Sequence, residues 1–198
     1  MKVVGLTGGM GTGKSTVAKL FEEKGYPVYS SDSRAKELMM EDKDLKAKLI
    51  HLLGEDSYSG DTLNKKYIAQ KIFSDKKLLQ EQNALVHSAV RNDFKDWVAK
   101  QKGDFCIKEA AILFESGAHK DCDYIIVVTA PEQIRINRIL SRDGLTEEEI
   151  KKRLQNQWSQ EKLADLADFQ ITNDSDMENI KTQVNHIIKQ LEERIKTA

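Results

Sequence analysis

The sequence predicts an α/β fold in which a five-stranded parallel sheet carries helices on both faces. Three observations predict it. Short β-branched apolar runs recur along the chain, segments of helical periodicity separate them, and the first run ends in glycines from which a helix starts.

Taken in order, KVVGLT at residues 2–7 is an apolar run that ends in glycines, as a strand buried on both faces does. Residues 15–24 then carry Val17, Leu20 and Phe21 at helical spacing, with Gly25 where a helix C-cap falls. YPVYS at 26–30 predicts a second strand, FCIKEAAILF at 105–114 a third, DYIIVVT at 123–129 a fourth and FQIT at 169–172 a fifth. The stretch 32–102 between the second and third strands has a mostly helical pattern and is long for a crossover, which predicts an inserted helical subdomain. Pro131 opens a helix that reaches Arg142, and TEEEIKKRL restarts one after DGL. Ile180, Val184, Ile187, Ile188, Leu191 and Ile195 share one face of an amphipathic closing helix.

A chain of 198 residues can bury one sizeable core without disulfides or a structural metal. Its two cysteines, Cys106 and Cys122, are not in a C-x-x-C pair and read as free thiols of a reducing compartment. The N-terminus lacks the apolar core of a secretory signal and no run has membrane-spanning length, so the expectation is a soluble, cytoplasmic protein. Charged residues make up 32% of the chain but sum to a net of −1, which argues against a nucleic-acid binder with a broad basic face. Any anion has to be met by a local site.

Such a site is written at residues 8–15. Gly8-Gly9-Met10-Gly11-Thr12-Gly13-Lys14-Ser15 fits G-x-x-x-x-G-K-[ST] with a predicted strand before it and a helix after it, the context of a P-loop. Glycines let successive backbone N–H groups converge where a side chain would block a phosphate, and the helix N-terminus adds its positive end. Lys14 can reach the β and γ phosphates, the Ser15 hydroxyl can ligate Mg²⁺, and Thr16 lies near the α-phosphate. The loop names a nucleoside triphosphate, with ATP and Mg²⁺ as the expected pair, but not what is done with it.

A kinase needs a carboxylate to orient or deprotonate the acceptor and cations over the transferring group. Asp32 follows the second strand, where ligands bind in such sheets, although SSD before RAKELMM is also how a helix N-cap is written. Glu109, inside an apolar run, either organises Mg²⁺ or pairs with a lysine. Arg138 and Arg142 share a helix face, and with Arg135 and Arg153 they form either a lid that closes over ATP or a solvated helix. His87, among helical apolar residues, reads on its own as structural, and the other histidines have no metal-ligand spacing.

Beyond the loop, the whole chain resembles the dephospho-CoA kinase family. GLTGGMGTGKSTVAKLF is close to that family's opening, and VYSSDSRAKELM parallels the segment that usually reads D-A-D before a short helix. IFSD, the histidine of NALVHSAVR, AILFE, the R-x-x-x-R-D of residues 138–143, the Arg153 and Gln157 pair, and ADFQITND recur in order over roughly residues 1–190. The family's pattern is altered at three places. Ser88 stands where proline usually follows the histidine, Glu109 and Ala111 stand in a segment that usually reads D-x-P-L-L-F-E, and Ser30 replaces the first acidic residue of D-A-D. Lys65 lies near the family's usual arginine, with the spacing changed by one.

The resemblance implies a three-layer P-loop kinase fold with its core at 1–31, 103–134 and 166–198, an acceptor-binding helical insert at 32–102 and a lid at 135–165. It also implies phosphorylation of the ribose 3′-hydroxyl of dephospho-CoA by ATP, the last step in making coenzyme A. Asp32 would take the hydroxyl proton, Lys14 and Mg²⁺ would hold the γ-phosphate, and Arg138 and Arg142 would descend from the lid. His87 and Arg91 would bind the acceptor, and Asn173 with Asp174 would meet adenine largely through backbone. A nucleoside or nucleoside-monophosphate kinase shares these parts, and a regulatory nucleotide switch would use the lid segment as a partner surface. Monomer and small homo-oligomer are both compatible with the pattern.

Overall fold

The computed structural model describes every residue except Ser74, Leu145, Asn156, Ser175 and Ala198, and for Asp143 it describes the backbone alone. Ser74 of IFSD, Leu145 of the DGL break and the Asp143 side chain of R-x-x-x-R-D therefore lie outside the described residues. In chain order the elements are β1 (Lys2–Thr7), α1 (Lys14–Glu23), β2 (Val28–Ser30), α2 (Ser31–Glu41), α3 (Lys43–Leu53), β3 (Tyr58–Ser59), β4 (Thr62–Leu63), α4 (Lys65–Phe73) and α5 (Lys76–Lys100). They continue with β5 (Phe105–Glu109), β6 (Tyr124–Thr129), α6 (Glu132–Asp143), α7 (Glu147–Gln155), α8 (Gln160–Asp165), β7 (Phe169–Thr172) and α9 (Met177–Thr197). Two compact units result, one of residues 1–30 with 101–198 and the other of residues 31–100.

The first unit is built on a five-stranded sheet in the order β2-β5-β1-β6-β7, parallel throughout. Both sheet faces are covered, so the central strands are buried over most of their length rather than alternating, including Lys108 and Glu109 at the end of β5. On one face Val4, Leu6, Ile107, Ile126, Val128 and Ile171 meet Val17, Leu20 and Phe21 of α1 and Val184, Ile187 and Leu191 of α9. On the other, Ile125 and Val127 meet Leu163 of α8 together with Ala110, Leu113 and Phe114. Gly5 points to this second face, and a Cβ there would stand 2.6 Å from Leu113 Cδ2, so β1 needs a glycine for the chain beneath it to come this close.

The expected third strand, 105–114, is shorter in the structure. β5 ends at Glu109, the Ala110 N–H makes a last bond to the Leu6 carbonyl at 3.0 Å, and the chain turns under the sheet. Ala110, Leu113 and Phe114 are apolar because they are buried in that turn, not because the strand continues, while Ile112 between them is exposed. The second strand also begins later than 26. Pro27 has no N–H to give a ladder, and only its carbonyl is used, accepting from Ile107 at 2.8 Å. Tyr26 instead lays its ring on Phe105, with centroids 4.3 Å apart.

The second unit is helical, with α5 packed against α2, α3 and α4 and a short β3–β4 hairpin at its side. Leu38, Leu45, Leu49, Leu53, Ile68, Val86, Val90 and Phe94 are its buried apolar residues. Asp42 caps α3 by accepting from the N–H groups of Asp44 and Leu45. The Arg34 guanidinium forks onto both oxygens of Asp93, at 3.0 and 2.9 Å, and ties α2 to α5. Among the described residues no helix is long and apolar enough to cross a membrane.

Candidate active site

The C-terminal ends of parallel strands are where ligands bind in open α/β sheets, and the glycine loop leaves β1 at that edge. Gly8, Gly11 and Gly13 all have positive φ, at 152°, 79° and 91°. Gly13 serves as N-cap of α1 and no side chain caps that helix, so its first N–H groups are met by no capping oxygen of the usual kind. Thr12 is fully buried and its hydroxyl donates to the Gly9 carbonyl at 2.9 Å, which pins the loop's span from within. The Lys14 ammonium donates to the Gly8 carbonyl at 2.9 Å, folding the charge back over the loop. Ser15 is exposed and Thr16 half-buried in the first turn of α1.

The glycines also answer to a different neighbour than a ligand. A Cβ on Gly9 would lie 2.6 Å from an Arg135 terminal nitrogen, one on Gly11 would lie 2.8 Å from the Arg135 carbonyl, and one on Gly13 would overlap the Asn173 side-chain amide. The loop is thus pressed from outside by α6 and by the residue that follows β7. Asn173, 2% exposed, donates its side-chain N–H to the Thr12 carbonyl at 2.8 Å. Its own N–H goes to the Thr129 carbonyl at 2.8 Å, so the adenine contact expected of its backbone has only the carbonyl to offer.

Arg138 belongs to the same assembly. Its guanidinium donates to Asn173 Oδ1 at 2.7 Å and to the carbonyls of Gly11 and Thr12 at 3.3 and 3.4 Å. Arg142, one turn further along α6, is exposed. The two arginines that share a helix face by spacing therefore sit in different surroundings, one against the loop and one toward solvent.

Two residues touch the loop in ways the sequence does not assign, Arg135 being expected only as one of the lid arginines and Gln157 only as the pair of Arg153. Arg135, 8% exposed, donates Nε to the Met10 carbonyl at 2.9 Å, and burial lowers the pKa of its guanidinium against the opposing pull of Glu132 and Glu161. Gln157, between α7 and α8, accepts the Met10 N–H at 2.9 Å. The three-residue offset of Arg135 from Arg138 is a helical-face signal that could have found the first, and the Arg153 and Gln157 pair pointed at the second without giving it a partner.

Glu109 at the end of β5 is 8% exposed and accepts from the Ser30 hydroxyl at 2.8 Å, so the replaced acidic position of the second strand orients the carboxylate of the third. In the helical unit, Asp32 stands in the first turn of α2 rather than at its cap, where a carboxylate is favoured by the helix dipole. His87 on α5 feels that carboxylate. Partial burial lowers the pKa of its ring, and the Asp32 charge pulls it back up. Arg91, one turn beyond His87 on α5, is exposed. Among the described residues no group of three or more His, Cys, Asp or Glu side chains is arranged to hold a metal by protein ligands alone.

A dephospho-CoA kinase family model matches residues 2–179. The chain is 41% identical over 197 residues to a dephospho-CoA kinase of Chlorobaculum tepidum, covering 96% of this chain and 94% of that one. It is 40% identical over 164 residues to the dephospho-CoA kinase of Porphyromonas gingivalis, covering 83% and 81%. Among solved structures, a Thermus thermophilus protein superposes with a TM-score of 0.85 at 28% identity, covering 96% of this chain and 97% of that one. A shikimate kinase from Bacteroides thetaiotaomicron shares the fold at a TM-score of 0.56 and 17% identity, over 96% and 98% of the two chains. A sheet edge carrying a braced phosphate loop, on a chain with these relatives from end to end, shows that the protein belongs to the dephospho-CoA kinase family.

Proposed function

We propose that the protein transfers the γ-phosphoryl group of ATP to the 3′-hydroxyl of dephospho-CoA, giving coenzyme A and ADP, with Asp32 as the base. The acceptor half of this reading is supported first by the family match, and within the helical unit by Asp32 in the first turn of α2 standing close enough to His87 on α5 for its charge to act on the ring. A phosphate loop by itself names only the donor. A carboxylate at a helix N-terminus beside a histidine is a group that can accept a hydroxyl proton while the neighbouring ring holds the acceptor's ribose or phosphate.

On the donor side, the loop N–H groups and the start of α1 bind the β-phosphate, and Lys14 exchanges the Gly8 carbonyl for phosphate oxygens. Arg138 and Asn173 keep the loop in shape, and Arg142 provides the solvent-side cation that the lid brings to the transferring group. The residues fit Mg²⁺, since an exposed hydroxyl at Ser15 and a buried, hydrogen-bonded carboxylate at Glu109 are hard oxygen donors of the kind that ion takes alongside phosphate. Ser15 and Glu109 would hold it, and when bound it neutralises charge on the β and γ phosphates. A cytoplasmic setting accompanies this reading, supported by two free thiols whose burial pushes each up to about 11 and keeps them unreactive.

The test is an assay of the purified protein with ATP, Mg²⁺ and a panel of acceptors. Formation of coenzyme A from dephospho-CoA, with nucleosides and nucleoside monophosphates left unphosphorylated, is the expected result. Phosphorylation of a free nucleotide with no coenzyme A formed would overturn the assignment in favour of a nucleotide kinase.

A further inference from the structure

Met10 is a half-buried residue of the glycine loop, and both of its peptide groups are held. Gln157 accepts its N–H at 2.9 Å, and Arg135 donates to its carbonyl at 2.9 Å. These holders come from two separate places in the chain that follows β6, one on α6 and the other between α7 and α8. Between them Met10 is held at both its N–H and its carbonyl, and both side chains reach the side of Gly9 where a Cβ would stand. The flanking glycines carry no side chains, so apart from the Met10 side chain, which packs on Ile136, Ile139 and Ile150, the segment is held through its backbone.

The placement of Arg135 is costly unless it serves something. A guanidinium only 8% exposed, whose one hydrogen-bond partner among the described residues is a loop carbonyl, loses hydration without the compensation of a bonded carboxylate. Burial accordingly lowers its pKa. A leucine or methionine would fill such a site at less cost. What they would lack is a donor aimed at the Met10 carbonyl and a cation within reach of the loop.

We propose that Arg135 and Gln157 are positioning residues for the phosphoryl donor, acting as a double brace on the Met10 backbone that holds the phosphate loop in its binding shape before ATP arrives. The inference rests on reading that loop as the ATP site. The brace removes the entropy of ordering the loop from the cost of binding, and a loop misplaced by about 1 Å can cost on the order of 100-fold in rate. Both residues act on the backbone of one residue, through its two adjoining peptide groups. Losing either therefore forfeits much of what losing both would.

The experiment compares Arg135→Met, Arg135→Lys, Gln157→Leu and the Arg135→Met/Gln157→Leu double variant in ADP titration calorimetry and in steady-state kinetics with ATP and dephospho-CoA. Each single truncation should weaken ADP binding and lower kcat/KM for ATP by about tenfold with KM for dephospho-CoA unchanged, and Arg135→Lys should recover part of the loss. The double variant should cost clearly less than the product of the singles. Fully multiplicative costs, or a fall in thermal stability with ADP affinity and kcat/KM for ATP within about twofold of the wild type, would overturn the brace. If Arg135→Met does not fold, Gln157→Leu decides on the same readouts, because its half-buried site tolerates a leucine. ADP binding needs no acceptor, so a wild type that binds ADP but makes no coenzyme A would sink the proposed function and leave the brace to be judged on nucleotide affinity.

Discussion

Gly13 has no side chain because Asn173 occupies the space where one would be. The pattern G-x-x-x-x-G-K-[ST] was legible in the sequence, and it names the roles proposed for its lysine and serine. The packing of the glycines against α6 was not, because that packing comes from residues more than a hundred positions away. Asp32 was legible in a similar, partial way. Its place after β2 suggested either a base or a helix cap, and the structure puts it inside the first turn of α2. If it is the base, Asp32→Asn keeps the shape and removes the proton acceptor. Turnover should then drop by about 10²–10⁴-fold while ADP affinity, read by calorimetry, changes by less than about threefold. An equal loss of both would return the residue to a structural role.

The elements show why period and composition read most of the sheet and misread one strand's length. The edge strand β7 is found by its alternation of buried Phe169 and Ile171 with exposed Gln170 and Thr172. Strands β1 and β6 fall where apolar runs predict them, because a strand covered on both faces is apolar over most of its length. The same logic overextends β5, since residues 110–114 are equally apolar while making a turn. Leu113 in that turn is fully buried and touches the Cα side of Gly5, so it does the packing work of a core residue outside any regular element. Leu113→Ala should cost about 3 kcal/mol through the cavity it leaves. At about 2–4 °C per kcal/mol for a chain of this size, Tm should fall by about 6–12 °C in a calorimetric melt. A change within about 2 °C would mean that the turn can collapse onto the gap.

At the scale of the molecule, the residues proposed for the site fall in two compact units, with the loop, Glu109 and the lid arginines in one and Asp32, His87 and Arg91 in the other. The loop lies at the edge of the larger unit's sheet, so a ligand there stabilises the unit that holds most of the core. ADP at about 100 times its Kd should add about 2.7 kcal/mol to unfolding. That is a rise in Tm of about 5–11 °C, and ADP that leaves Tm unchanged would argue against a nucleotide site in the loop. The braces on that loop bear on how such an enzyme can be altered. Residues 8–15 are contiguous in sequence, yet their shape is kept by Arg135, Arg138, Gln157 and Asn173. The loop is not a portable cassette. Moved alone onto another strand and helix it would bring its glycines without the neighbours that restrain them, and an engineer wishing to transplant ATP binding would have to carry α6 and the end of β7 as well.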